Sequence, residues 1–374
     1  METIRLNKAE FNNVLQMASQ MAGVSKTLPI LNNVHLRIKD GTLQITSSDS
    51  EVTITNGYQL LYNTSEDCDI IFNPKSLCAL LPIIADDEID VENNGSDILV
   101  KYSNGDMSLP TFDVEDFPIL DLDAQNAKSV TIEDCAGFAE TIKNASSFIA
   151  NDYIRPIMTA IVVHIAESGI EIYASDTNIL YFSIFSDKGN QDEKFILLPA
   201  KAIKPIYSLL KYSSDKSFTL LYNDTHAKFV CDGGSVTTRL IEGKYPKVKS
   251  VIPQTSNISI VFNKKDVLDA IKHVSLSASI SCIGVFETNR MFNNVEVSAN
   301  DIDFRKSSKE VIDAQLQTES ELRIGFNLQK LLKSINVLDN QNIIMMANNS
   351  ESATLWQGVG DNRTVVLVMP MRIE

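Results

Sequence analysis

Three aspartates give this chain its first hint of chemistry. Asp49, Asp176 and Asp301 each close the pattern apolar-x-apolar-x-x-x-Asp, opened by Leu43-x-Ile45, Ile170-x-Ile172 and Val295-x-Val297. Carboxylates brought together could move protons or hold a cation. These three stand 127 and 125 residues apart, at one place in successive copies of a longer pattern. Such a position calls for a turn or cap rather than catalysis. His35, His164, His226 and His273 have no metal-like spacing and read as strand or surface residues. The five cysteines (Cys68, Cys78, Cys135, Cys231, Cys282) are odd in number, scattered and never CxxC. That suits reduced thiols in a cytoplasmic protein and offers no metal site. The phosphate-cradling and hydrolase motifs GxxxxGKS/T, GxGxxG and GxSxG are missing. The residues point to no enzyme, no metal and no cofactor.

Lysine offers the second chemistry, contact with phosphate. Lys8, Lys75, Lys143, Lys201, Lys204, Lys211, Lys264, Lys265, Lys272, Lys330 and Lys333 fall on six predicted helices, against Glu10, Glu133, Asp134, Glu140, Asp266 and Asp269. Eleven lysines and six acids leave these helices about +5 within a chain of −15. Lys201/Lys204/Lys211 and Lys330/Lys333 share helical faces, on helices that carry no acid. Singly these are ordinary solvated residues; the asymmetry over all six helices is what suggests an anionic partner. The acidic total excludes bulk attraction to nucleic acid. Acids on an outer face, beyond a helix ~10 Å thick, would lie about a Debye length away and be screened.

The elements that carry these residues repeat. Helical spacing recurs as Phe11/Leu15/Ala18/Ala22, Phe138/Ile142/Ala145/Ile149 and Val267/Ile271/Val274/Ala278. A second helical marker recurs as Pro74 with Leu77/Leu81/Ile84, Pro199 with Ile203/Tyr207/Leu210, and Asn327 with Leu328/Leu332/Ile335. A period near 127 is too long for a solenoid, so each copy is a whole domain, and 374 residues with 44% apolar content can bury several cores. Each copy opens with a strand feeding a helix: 3–6 into 8–21, 130–132 into 135–149, and 258–262 into 264–278. Asn7 and Asn263 stand where caps belong. Hairpins follow around Asp40-Gly41 and Ser168-Gly169, and closing hairpins around Asn104-Gly105 and Gly233-Gly234. Polar stretches at 121–129 and 253–257 mark the boundaries. The charged start, Met1-Glu2-Thr3-Ile4-Arg5, reads as no secretory signal, and no apolar run is long enough to span a membrane.

With the copies laid out, specific strings stand out. Thr27-Leu28-Pro29-Ile30-Leu31, Asp116-Phe117-Pro118, Gly243-Lys244-Tyr245-Pro246, Ile324-Gly325-Phe326-Asn327 and Val368-Met369-Pro370-Met371-Arg372 run in order along the whole chain. Together they resemble the bacterial DNA polymerase III beta subunit, the sliding-clamp family. The resemblance implies an α+β fold of three repeated clamp domains (1–125, 126–253 and 254–374), each two helices on antiparallel sheet, forming half of a ring. It implies a head-to-tail homodimer around double-stranded DNA, read without sequence specificity. The implied partners are the DNA polymerase III catalytic subunit, the clamp loader and other proteins with clamp-binding motifs.

The same resemblance assigns residues. Lys26, Lys201, Lys204, Lys211, Lys264, Lys265, Lys272, Lys330 and Lys333 are the expected DNA contacts. Arg155, Ser175, Thr177, Leu180, Pro246, Val251, Val368, Met369, Pro370 and Met371 are the expected groove for partner peptides, its methionines suited to several motifs. The alternative for Val368-Met369-Pro370-Met371 is a merely buried last strand, and the groove is preferred on resemblance rather than on pattern. Met107 and Leu109 are expected to meet Ser277, Ala278 and Ile280 of a second chain and extend a sheet between them. The chain also departs from the family. Where relatives carry Gly-His-Arg-Leu it has Thr177-Asn178-Ile179-Leu180; Pro156 follows Arg155; Glu374 follows Ile373. A scaffold of the same fold that does not encircle DNA is the alternative reading, and an enzyme would need a pocket of clustered ionisable groups.

Overall fold

A computed structural model describes residues 3–23, 28–60, 67–114, 117–122, 125, 127–151, 154–190, 192–318 and 321–373. Lys26, Thr27, Asp116 and Glu374 lie outside the described residues. Six α-helices are described: α1 Lys8–Ala18, α2 Lys75–Leu80, α3 Cys135–Ser146, α4 Ala200–Lys211, α5 Lys264–Ser275 and α6 Leu328–Asn336. Asn7 Oδ1 accepts the Glu10 N–H at 3.0 Å and Asn263 Oδ1 the Lys265 N–H at 3.0 Å, as caps should. Asn327 caps α6 in the same way, on the Lys330 N–H.

The first helix of each copy is shorter than its apolar spacing predicts. α1 ends at Ala18, not 21; α3 at Ser146, not 149; α5 at Ser275, not 278. Serine chemistry explains the ends of α1 and α5. Ser19 donates both its N–H and its hydroxyl to the Leu15 carbonyl, at 2.8 and 2.6 Å, and the Ser275 hydroxyl donates to the Ile271 carbonyl at 2.5 Å. Side chains that compete for the last carbonyls let the chain tighten into three-residue turns. After Ala18, Met21 remains buried. The apolar period therefore outlasts the helix.

The chain forms two compact units, one from residues 1–140 and 201–241, the other from 141–200 and 242–374. Each holds a twelve-stranded sheet whose pairings are antiparallel. In the first unit, Val52–Gln59 pairs with Gly234–Arg239, in register Thr53↔Thr237. In the second, Ile179–Ser186 pairs with Thr364–Val368, in register Leu180↔Leu367. The units do not follow the sequence copies: strands of the middle copy are shared between them, because sheet hydrogen bonds run from one copy into the next.

Turn chemistry settles the hairpins. Asp40 and Gly41 have φ 50° and 73°, the left-handed pair that a two-residue hairpin loop needs. The other three hairpins turn one residue earlier than expected. Gly169, Gly105 and Gly234 already pair with Ala166, Tyr102 and Cys231 and so begin the return strands. At Gly169 the reason is space, since a Cβ there would run into the Ser186 carbonyl of the neighbouring strand.

Aromatic packing anchors each unit. Phe138, Phe218 and Phe229 lie 5.0–6.1 Å apart in the first. Trp356 contacts Phe262 and Phe326 at 6.0 Å in the second, and all six rings are buried.

Candidate functional site

The three repeat aspartates are turn residues. Asp49 Oδ1 accepts the N–H groups of Glu51 and Val52, Asp176 Oδ1 those of Asn178 and Ile179, and Asp301 Oδ1 that of Phe304. Two of them do something further that periodicity did not reveal. Lys201, in the first turn of α4, places Nζ 3.0 Å from Asp49 Oδ2 and also pairs with Glu51. Lys330, in the first turn of α6, places Nζ 2.8 Å from Asp176 Oδ2. In each case a lysine from the next copy's second helix clasps the aspartate turn of the copy before it. These pairs are half-buried, so solvent screens them less than it would a surface pair.

The expected DNA lysines therefore divide. Lys211 pairs with Glu140 at 2.9 Å. Lys265 and Lys272 flank Asp269 at 3.3 and 3.4 Å, and together they hold its carboxyl below the usual range. Lys264 turns inward to the carbonyls of Asn336 and Leu338, and burial pulls its ammonium below the usual lysine range. Lys204 and Lys333 are exposed. In the first unit, Lys75 and Lys204 line a cleft of about 1090 Å³ together with Asn13, Gln16, Gln20 and Asn73. Such a wall of amides and ammonium groups can donate to phosphate without reading bases.

The residues expected to form the groove all belong to the second unit. Leu180 and Val368 are buried within the strand pair described above, whereas Met369 and Met371 emerge beyond it and Val251 is exposed. The last strand thus supplies both features left open by its sequence: a buried end at Val368 and apolar surface after it. Ser175 Oγ accepts the Thr177 N–H and donates to the Ile179 carbonyl, and the Met369 N–H reaches the Asn178 carbonyl at 2.8 Å, so turn and terminal segment are locked together. Pro246 lines one cavity, of about 630 Å³, while Pro370 and Met371 line another, of about 590 Å³. Arg155 precedes the short turn Pro156–Thr159.

Sequence reasoning missed Tyr245 as a site residue. Its buried hydroxyl accepts the Ser175 N–H at 2.9 Å, tying the Gly243–Pro246 string to the aspartate turn, and burial pushes its phenol up to about 12. It also missed His164, held between Glu171 (3.0 Å) and Glu193 (2.9 Å) and stacked on Phe195 in the 630 Å³ cavity. Residues spaced this far apart carry no local signal.

At the proposed chain ends, Met107 and Leu109 sit on the strand Gly105–Phe112. Ser277 and Ala278 are half-buried and Ile280 is exposed. Leu276, which drew no attention in the sequence, is 80% exposed. Among the described residues no group of three or more His, Cys, Asp or Glu side chains could hold a metal ion, and all five cysteines are free. No described helix is long and apolar enough to cross a membrane.

The same fold is found in the DNA polymerase III beta subunit of Pseudomonas aeruginosa (TM-score 0.91, 20% identity, 100% of each chain) and in that of Thermotoga maritima (TM-score 0.91, 17% identity, 100% of each chain). Six helices on antiparallel sheets that pass from copy to copy are thus the architecture of the sliding clamps. Family models agree in order along the sequence. The N-terminal domain of the DNA polymerase III beta subunit matches residues 2–121, the central domain 134–247 and the C-terminal domain 249–372. The chain belongs to the DNA polymerase III beta subunit family. Its similarity to the beta sliding clamp of Escherichia coli K12 is 24% identity over 364 residues, and to that of Pseudomonas putida 22% over 362 residues, covering 96% of each chain in both cases.

Proposed function

We propose that this chain is a replication clamp: a head-to-tail homodimer whose ring encircles duplex DNA and tethers the replicative polymerase, the clamp loader and other motif-bearing proteins through the groove around Ser175, Thr177 and Met369–Met371. It does no chemistry of its own. Its three domains are taken as 1–125, 126–253 and 254–374. The observation that carries this reading is the ordered match of three clamp-domain models along nearly the whole chain.

The amide-and-lysine cleft between α1, α2 and α4 supports contact with DNA phosphates. So many expected lysines are already ion-paired that direct contact falls chiefly to Lys75, Lys204 and Lys333, and DNA affinity is weak. A ring tolerates this, because topology retains it while weak contacts let it slide. Tethering then raises the effective concentration of a bound polymerase at its template.

The test is retention on nicked circular DNA. The loaded protein stays on the circle and leaves once the circle is linearised. Equal release before and after cutting overturns the proposal, and a monomer by light scattering at micromolar concentration favours a scaffold that does not encircle DNA.

A further inference from the structure

Sheet register gathers a polar cluster in the second unit that neither DNA contact nor the expected groove uses. The strand Ala160–Ala166 runs between Gly169–Ser175 and Lys194–Pro199, and sets His164 opposite Glu171 on one side and opposite Phe195 on the other. Opposed residues share a sheet face, as do residues two apart, which adds Tyr173 to it. The imidazole lies flat on the Phe195 ring, with 4.2 Å between centroids and 6° between planes. Its two nitrogens meet Glu171 at 3.0 Å and Glu193 at 2.9 Å. An imidazole held at both nitrogens cannot turn, so the Phe195 ring has a fixed backing.

The segment 243–250 packs on the same face. Tyr245 stands edge-on to Tyr173 at 5.7 Å, and Lys249 places Nζ 2.6 Å from the other oxygen of Glu171 and 6.0 Å from the centre of the Phe182 ring. Segment and sheet together line the cavity of about 630 Å³, a size suited to a ligand-sized group.

The charges of this cavity are not balanced. Glu171 is answered by His164 and Lys249, and Glu193 by His164. Lys244 and Lys247 also line it, are exposed, and have no ion pair among the described residues. Two unanswered ammonium groups in a chain of −15 favour a negative partner. The apolar wall favours a ring. Phe195 is 46% exposed although His164 is stacked on it, leaving aromatic surface that a further ring can cover. The cavity is also continuous with the expected groove. Pro246 belongs to both, and the Tyr245 hydroxyl accepts the Ser175 N–H of the groove's aspartate turn.

Resting on the groove proposed above, we infer that this cavity is a second docking pocket, which takes an aromatic side chain from an acidic stretch of a partner protein adjoining the segment held in the groove. Lys244 and Lys247 meet the carboxylates of that stretch; Phe195, Tyr173 and Tyr245 meet its ring. The cavity's own carboxylates repel it little, because His164 and Lys249 already hold them.

The experiment is fluorescence anisotropy on the full chain with a labelled peptide, Asp-Glu-Trp-Asp-Glu. The wild-type chain binds it saturably, and replacing its tryptophan by alanine or its acids by lysine removes binding. K244E/K247E weakens binding about tenfold and F195S about fivefold; added salt narrows the first difference and not the second. No saturable binding, equal affinity for the alanine or lysine peptide, or indifference to K244E/K247E overturns the pocket. M369K, in the groove, leaves the affinity of this probe unchanged. Loss of the probe with M369K but not with K244E/K247E places it in the groove and overturns the pocket alone. The groove is read separately, by binding of the DNA polymerase III catalytic subunit: its persistence in M369K overturns the groove reading, while the pocket stands on the result with the probe.

Discussion

Thr177 holds its backbone at φ 80°, a left-handed conformation that is costly for a β-branched side chain. Glycine adopts this conformation without a Cβ clash, so Thr177→Gly is a direct test of whether the turn stores strain. The left-handed conformation costs a residue with a Cβ roughly 1–2 kcal/mol. Glycine loses about 0.5 kcal/mol or somewhat more of that gain to the entropy of the unfolded chain. The net expectation is about 1 kcal/mol of added stability, or about 2–4 °C in Tm for a cooperative unit of this size. Nothing else need change, because the Thr177 side chain is exposed and the bond to Ser175 Oγ uses the backbone N–H. Ser50 occupies the equivalent turn of the first unit at φ 74°, so Ser50→Gly should stabilise that unit for the same reason. Scanning calorimetry on both variants, with Thr177→Ala as the control that retains a Cβ, decides the matter. A Thr177→Gly protein no more stable than wild type, or one that only matches the alanine variant, refutes the reasoning.

Further outcomes follow from other sites. Trp356→Ala removes the ring packed between Phe262 and Phe326 and should cost about 3–5 kcal/mol in denaturant unfolding. Lys330→Ala leaves the half-buried Asp176 without its ammonium partner and should cost about 1 kcal/mol, a loss that Asp176→Asn largely removes when the two are combined. Burial raises the phenols of Tyr181 and Tyr245 to about 12, above an unfolded value of about 10. Their contribution is intact below pH ~10 and is lost as pH rises towards 12, because the unfolded chain ionises first; Tyr181→Phe should therefore move the alkaline unfolding midpoint upward. Lys204→Ala and Lys333→Ala should each weaken DNA binding uniformly across sequences, lowering the slope of log affinity against log salt by about 0.9 per lost phosphate contact.

Much of this architecture is legible in the residues because it is local. Asn7 and Asn263 cap helices as expected, since a cap requires only a short polar side chain before an apolar period. Asp40-Gly41 turns a hairpin because two adjacent residues tolerate positive φ. The helix ends at Ala18 and Ser275 were less legible, because an apolar period continues where a serine has already diverted the final carbonyl. The expected groove rests on resemblance, and the bond that braces its aspartate turn is visible only in the structure. Tyr245 and Ser175 are seventy positions apart, and nothing in either neighbourhood announces their bond.

The sequence by itself determined the three copies, the helices with their lysines and the aspartate turns, because period, capping and turn propensity act within a few residues. Only the tertiary structure decided what the lysines do. Lys201 meets Asp49 across 152 positions because sheet pairing joins one copy to the next and carries α4 to the turn. Much of the charge that reads as a free basic face in the sequence is spent on ion pairs, and through Lys201 and Lys330 it holds one copy to the next. Among the described residues Lys75, Lys204 and Lys333 stay exposed, and the Asp301 turn keeps no lysine clasp because the sheet pairing ends before a further copy can supply one.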